Sequence, residues 1–184
     1  LDHLLDRMLS ERIATVFDAD ALNLFAKAPA LLTRLTRLAA SGAPMVLTPH
    51  PLEAARLLET DASAVQRDRL AAALALVNRT GAVVVLKGSG TVIAAPGVPP
   101  VINTTGNGGL ASGGTGDVLT GMIGALLAQG VPAREAALAG VWLHGRAADD
   151  LVAAGAGPIG LHAGELCAPA RRLLNALLAS DAHR

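Results

Sequence analysis

Residues 103–117, NTTGNGGLASGGTGD, are where this sequence concentrates the means for chemistry. Six of the fifteen are glycine, and glycine lets the backbone turn its N–H groups toward a ligand. Val118, Leu119, Met122, Ile123, Leu126 and Leu127 then recur at helical spacing up to Gly130. A helix N-terminus carries a partial positive charge, so loop and helix together make an anion site suited to phosphate. Asp117 sits where that anion would bind, and two readings of it stay open. It is either an acidic residue stabilising the first helical turn, or a general base that deprotonates a hydroxyl beside a bound phosphate.

Other reactive side chains each follow a short apolar run. Asp18 and Asp20 follow Ile13 to Phe17, His50 follows Met45-Val46-Leu47-Thr48, and Lys87 follows Val83 to Leu86. If those runs are parallel strands, the polar residues meet beyond their carboxyl ends, where open α/β sheets bind ligands. Each residue also has a plainer reading. His50 lies between two prolines as a rigid turn residue, Lys87 is a surface charge, and Asp18 and Asp20 cap the next helix. Two familiar motifs are excluded. Gly106-x-Gly108-x-x-Ala111 lacks the following βαβ unit and acidic residue of a dinucleotide fingerprint, and Lys87 precedes its glycines where a P-loop lysine follows them.

The elements that must position these groups alternate. Leu1, Leu4, Leu5 and Met8 predict an opening amphipathic helix, Leu31 to Ala40 a second helix and Ala62 to Arg79 a long third. Thr91 to Ala94 and Val101-Ile102 predict shorter strands, Pro132 opens a further helix, and residues 164–180 form a helical tail. Strands apolar throughout and separated by helices predict an α/β fold, a mostly parallel central sheet with helices on both faces. The 184 residues suit one domain, and 52% hydrophobic against 16% charged residues excludes a disordered chain. Fifteen basic residues balance fifteen acidic ones and aromatics are only 2%, so neither a nucleic-acid binder nor a base-stacking platform is expected. One cysteine, Cys167, excludes an internal disulfide framework and is expected to be a small buried hydrophobe. No apolar run is long enough for a bilayer and no signal peptide opens the chain, so a cytoplasmic protein is expected. The missing initiator Met suggests a start inside a larger protein.

Asp18-Ala19-Asp20-Ala21-Leu22, Leu47-Thr48-Pro49-His50-Pro51, Val85-Leu86-Lys87-Gly88 and the Gly-rich run into Gly116-Asp117, in that order, resemble the ADP/ATP-dependent NAD(P)H-hydrate dehydratases. These form the C-terminal domain of bifunctional nicotinamide-nucleotide repair proteins and belong to the ribokinase-like superfamily. The resemblance spans nearly the whole chain. Leu52 departs from the family's usual Gly, whereas Glu53 is kept. Family domains carry roughly another hundred residues upstream, so residues 1–184 are expected to be a single, N-terminally incomplete ribokinase-like domain.

The resemblance implies a reaction. Hydrated NADH or NADPH (NADHX, NADPHX) is phosphorylated on its ring hydroxyl at the expense of ADP or ATP, and phosphate is then eliminated. It also implies roles. Asp117 matches the base, and the N–H groups of Gly113, Gly114, Thr115 and Gly116 match an anion hole. Lys87, Gly88, Ser89, Gly90 and Thr91, with Gly116, match the adenylate-binding segment, and His50, with Asp117, matches the contact to the hydrated nicotinamide nucleotide. Mg²⁺ is expected to bridge phosphates, held mostly by water and phosphate oxygens. Asp18 and Asp20 are the candidates to approach it, and no protein ligand is assigned. A homo-oligomer and an epimerase domain fused upstream are the partners expected.

Two alternatives stand beside this reading: a ribokinase-like kinase for a sugar, hydroxymethylpyrimidine, thiazole or pyridoxal, and an inactive nucleotide-binding fragment. His144, Asp149 and Asp150 read as a solvated helix face, and His162 as a lone loop residue. Trp142 reads as a core or interface anchor, and Gly121 and Gly124 as sites of close helix packing.

Overall fold

The computed structural model describes residues 2–181. Leu1 of the opening helical pattern lies outside them; the helix itself, α1 (Asp2–Glu11), buries Met8. Then follow β1 (Thr15–Phe17), α2 (Asp20–Lys27), α3 (Pro29–Ala40), β2 (Met45–Leu47), α4 (Pro51–Leu58), α5 (Ala62–Arg67), α6 (Arg69–Thr80) and β3 (Val83–Leu86). The second half holds β4 (Val92–Ala95), β5 (Val98–Ile102), α7 (Thr115–Ala128), α8 (Ala133–Ala153) and α9 (Cys167–Asp181).

The sheet order is β1-β2-β3-β4-β5. Pairs β1–β2 and β2–β3 are parallel, while β3–β4 and β4–β5 are antiparallel. Only β4 therefore runs against the rest, and the expected mostly parallel sheet holds in strand direction. The period-2 alternation of a strand divides the core between two faces. Phe17, Leu47, Val84 and Leu86 point to one face, where they pack with Leu22, Leu35 and Leu76. Val46, Val83, Val85 and Ile93 point to the other, against Leu119, Ile123 and Val141 of α7 and α8. With both faces covered, β3 is buried at all four positions. Fully burying one such valine or leucine contributes roughly 1.5–3 kcal/mol.

Four local expectations are corrected. The helix read as continuous from Ala62 to Arg79 is two, because Asp68 interrupts it: its side chain accepts from the Ala71 N–H at 2.9 Å and caps α6. The turn read at Pro49-His50-Pro51 opens α4, with Pro51 at the first helical position, where its missing N–H costs nothing. Gly121 meets no atom within 4 Å; close helix packing uses Gly140 instead, whose Cβ would lie 2.6 Å from Ile123. Cys167 is exposed, since at the start of α9 the inward positions are taken by its neighbours Leu166 and Ala170. No helix among the described residues is long and apolar enough to cross a membrane.

Candidate active site

Parallel pairing brings the ends of β1, β2 and β3 to one edge of the sheet, so Asp18, Thr48 and Lys87 emerge together. The edge is stitched beyond the strands. The Thr48 N–H donates to the Phe17 carbonyl at 3.1 Å, and the Lys87 N–H to the Pro49 carbonyl at 2.8 Å.

Lys87 is no surface charge. Its ammonium lies 2.8 Å from Asp18 Oδ1, and both side chains are largely buried. Asp18 Oδ1 also accepts from the Ala19 N–H at 2.8 Å, and Asp18 Oδ2 accepts from the Thr120 hydroxyl on α7 at 2.8 Å. Asp18 thus ties a strand end to α7 instead of capping α2. The bend it helps hold is strained: Ala19 has φ 49° and ψ −114°, and such backbone costs on the order of 1–3 kcal/mol. Asp20 begins α2.

The lysine reaches the Gly-rich element from that anchor. A Cβ built on Gly116 would stand 3.6 Å from Lys87 Nζ. Helix α7 starts at Thr115, three residues earlier than the apolar spacing alone suggested, so Gly116 and Asp117 lie in its first turn. Its N-cap is Gly114, at φ +85°, which brings no side-chain acceptor. The first-turn N–H groups therefore keep their positive field for something else. Asp117 is exposed, and its carboxylate has no hydrogen bond or ion pair to any described residue. Gly113 is exposed with open space on its Cβ side.

The loop leading into α7 rests on α8. Asp149 accepts from the Gly106 N–H at 2.9 Å and from Asn107 Nδ2 at 3.0 Å, and Asn107 Oδ1 accepts from the Gly109 N–H at 3.0 Å. The Thr105 hydroxyl donates to the Trp142 carbonyl at 3.2 Å. His144 is buried, its Nε2 2.8 Å from the Thr115 carbonyl. A carbonyl only accepts, so Nε2 carries the proton. Burial pushes the pKa of His144 down, and the Thr115 contact partly opposes this. The expected solvated face is thus corrected for His144 and Asp149, which face the loop; Asp150 alone fits it, paired with Arg146. Helical spacing placed the three on one helix but could not say which turn a distant loop would cover. Trp142 is 37% exposed and acts in this bed through its backbone. His162 donates its N–H to Glu165 at 2.7 Å.

His50 is first of all a cap. Its Nδ1 accepts from the N–H groups of Leu52 and Glu53 at 3.2 and 3.3 Å, and Glu53 accepts from the His50 N–H at 2.8 Å. This is a reciprocal capping box with histidine in the place of serine. The imidazole is still 46% exposed, so one side faces solvent. Ser89, Gly90 and Thr91 form the turn between β3 and β4, where the Thr91 hydroxyl donates to the Gly88 carbonyl at 3.0 Å. Sequence reasoning missed Arg69, which donates into this turn. A lone basic residue at a helix start gives no signal of a contact so far along the chain.

Among the described residues, no three His, Cys, Asp or Glu side chains gather to hold a metal ion. Both Asp18 oxygens are engaged by the protein itself. No protein ligand for a divalent cation is assigned here. The whole arrangement can hold an anion at the start of α7, set a lysine beside it, and leave one carboxylate free for a proton.

A family model described as NAD(P)H-hydrate dehydratase matches residues 1–167. The ADP-dependent (S)-NAD(P)H-hydrate dehydratase of Neisseria meningitidis serogroup B is 49% identical over 166 residues, which is 90% of this chain and 54% of that protein. The ADP/ATP-dependent NAD(P)H-hydrate dehydratase from Bacillus subtilis, co-crystallised with ATP and Mg²⁺, aligns with a TM-score of 0.68 at 38% identity, covering 72% of this chain and 48% of that one. A ribokinase-like superfamily protein from Enterococcus faecalis aligns with a TM-score of 0.73 at 30% identity, covering 94% of this chain and 57% of that one. The chain spans about half the length of these relatives, and its fold is ribokinase-like.

Proposed function

The chain belongs to the NAD(P)H-hydrate dehydratase family, and from that premise we propose that it carries the phosphoryl-transfer centre of a nucleotide-dependent dehydration of hydrated NADH and NADPH. Asp117 takes the proton of the ring hydroxyl. The freed oxygen attacks the terminal phosphorus of ADP, and AMP departs. The ring-nitrogen lone pair then expels phosphate as the carbon–oxygen bond breaks, and loss of the proton from the neighbouring ring carbon restores the double bond of the reduced nicotinamide. Phosphate leaves where hydroxide could not.

Each residue has its part in this reading. The N–H groups of Gly113 to Gly116 hold the transferring phosphoryl group; preorganised donors of this kind are worth roughly 3–4 kcal/mol each. Lys87 to Thr91 receive the adenylate, with Gly116 against it, and the exposed side of His50 meets the nicotinamide nucleotide. Mg²⁺ arrives on the nucleotide, held by phosphate oxygens and water. The observation that carries the reading is the meeting of Lys87 Nζ with the uncapped start of α7, 3.6 Å from a Cβ position on Gly116. A cation and an array of N–H donors converge there beside one unengaged carboxylate.

The test supplies hydrated NADH, Mg²⁺ and ADP and follows reduced-nicotinamide absorbance, with AMP and phosphate measured in parallel. It is run on this chain and on one extended upstream, because the single, N-terminally incomplete domain is part of the proposal. ADP-dependent recovery of absorbance, with AMP and phosphate released in equal amounts, is expected. A stable phosphorylated product without recovery would instead indicate the small-molecule kinase, and ADP binding without turnover in either chain the inactive fragment. An epimerase domain upstream, self-association and a cytoplasmic setting belong to the same proposal.

A further inference from the structure

Arg69 opens α6, where the helix dipole disfavours a cation; its own helix therefore does not explain its position. Its guanidinium crosses to the β3–β4 turn. Arg69 Nη2 lies 3.0, 3.3 and 3.4 Å from the carbonyl oxygens of Leu86, Lys87 and Gly90, and Nη1 donates to Gln66 Oε1 at 3.0 Å. Partial burial lowers the pKa of the group, and those carbonyls supply acceptors for its charge. Gly88 makes room for it. With φ at +143°, a Cβ there would fall 2.7 Å from Nη1 and 3.0 Å from Nη2.

A trans peptide points its N–H opposite to its C=O. Carbonyls gathered around Arg69 must therefore turn the following N–H groups away from it. The Lys87 N–H, which follows the Leu86 carbonyl, does point elsewhere, donating to Pro49 at 2.8 Å. The N–H groups of Gly88 and Thr91 follow the other two carbonyls, and neither has an acceptor among the described residues.

We propose that Arg69 is the positioning residue of the nucleotide-binding turn. By drawing the carbonyls of residues 86–90 to one side, it presents the Gly88 and Thr91 N–H groups on the other, to acceptor atoms of an adenine nucleotide. The inference rests on the reading of Lys87 to Thr91 as the adenylate-binding segment, and adds the group that gives that segment its shape.

The experiment titrates ADP and, separately, inorganic phosphate into the wild-type protein, Arg69→Met and Arg69→Lys by calorimetry, with thermal melts alongside. Arg69→Met should weaken ADP at least tenfold while inorganic phosphate, held at the start of α7, binds as before. Arg69→Lys keeps the charge but cannot span three carbonyls, and should also weaken ADP. It carries the test if Arg69→Met fails to fold. Wild-type ADP affinity in a folded variant, or an equal loss of ADP and phosphate affinity, would overturn the positioning role alone. No ADP binding by the wild type would bring down the adenylate reading, and this inference with it.

Discussion

Replacing Gly145 by alanine sets two effects of opposite sign against each other. Gly145 lies inside α8, and helix propensity alone predicts a gain of about 0.8–1.0 kcal/mol. The structure predicts a loss. A Cβ at this position would lie 2.3 Å from the Thr105 hydroxyl oxygen, 2.7 Å from its carbonyl carbon and 2.8 Å from its carbonyl oxygen. Two of these are backbone atoms, so no side-chain rotation relieves the contact. Restoring an ordinary 3.4 Å separation from the backbone carbon moves the loop by about 0.7 Å. A shift of that size along the Asp149 bond to the Gly106 N–H, now 2.9 Å, would stretch it to about 3.6 Å, beyond hydrogen-bond reach. Overpacking costs roughly 1–3 kcal/mol, and each bond to the charged carboxylate about 1.5–3 kcal/mol more. The contact should outweigh the propensity. Urea denaturation should show a net loss of at least ~1 kcal/mol. Because a misplacement near 1 Å can cost about a hundredfold in rate, dehydration should fall by one to two orders of magnitude. Gly113→Ala, with open space at its Cβ, should stay within ~0.5 kcal/mol of wild type. A Gly145→Ala protein that is more stable and turns over normally would refute the claim that α8 sets the position of the loop leading into α7.

Asp117→Asn should lower dehydration by roughly 10²–10⁴-fold, the usual contribution of a general base; ADP affinity by calorimetry should not weaken, and equal turnover would sink the base assignment. His144 has its pKa lowered by burial from the ordinary 6.5, so on acidification the unfolded chain takes up a proton first. The stability held above pH 6.5 is lost below it, by up to about 1.4 kcal/mol per pH unit until His144 protonates in the fold. Urea midpoints between pH 7 and 5 should flatten in His144→Gln, and an unchanged slope would exclude His144 as the source. Gly121 is exposed in mid-α7 with nothing within 4 Å; Gly121→Ala should raise stability by about 0.8–1.0 kcal/mol, or roughly 2–4 °C in Tm, and a lower Tm would show a contact that the space around it does not predict.

What the sequence disclosed, and what it withheld, follows from how far each signal reaches. Val83 to Leu86 was legible as a buried strand because four consecutive apolar residues need cover on both faces. Lys87 and Asp18 were legible as strand-end residues, since parallel pairing sends such ends to one edge. Their ion pair was not, because residue spacing carries no information about which side chains meet across strands. Helix α4 was hidden behind its prolines: Pro51 breaks an extended run but also starts a helix, and composition does not choose between the two. Asp149 and His144 looked solvated because periodicity describes a helix in isolation. Their partners, Gly106 and Thr115, sit on a loop and a helix start that only the packed fold brings against α8.

The bonds made by Asp18 also say when such a centre can exist. Lys87 is 69 residues from it along the chain and Thr120 is 102. Contacts of that separation close large loops, whose entropy must be overcome before they contribute anything. During synthesis the centre cannot assemble until α7 has emerged, however early β1 and β2 pair. On the proposed reading, nucleotide binding would report completion of the fold and not its onset. By mass action, a ligand held by residues from both ends of this span would favour the finished state, by about 2.7 kcal/mol at a hundred times its Kd.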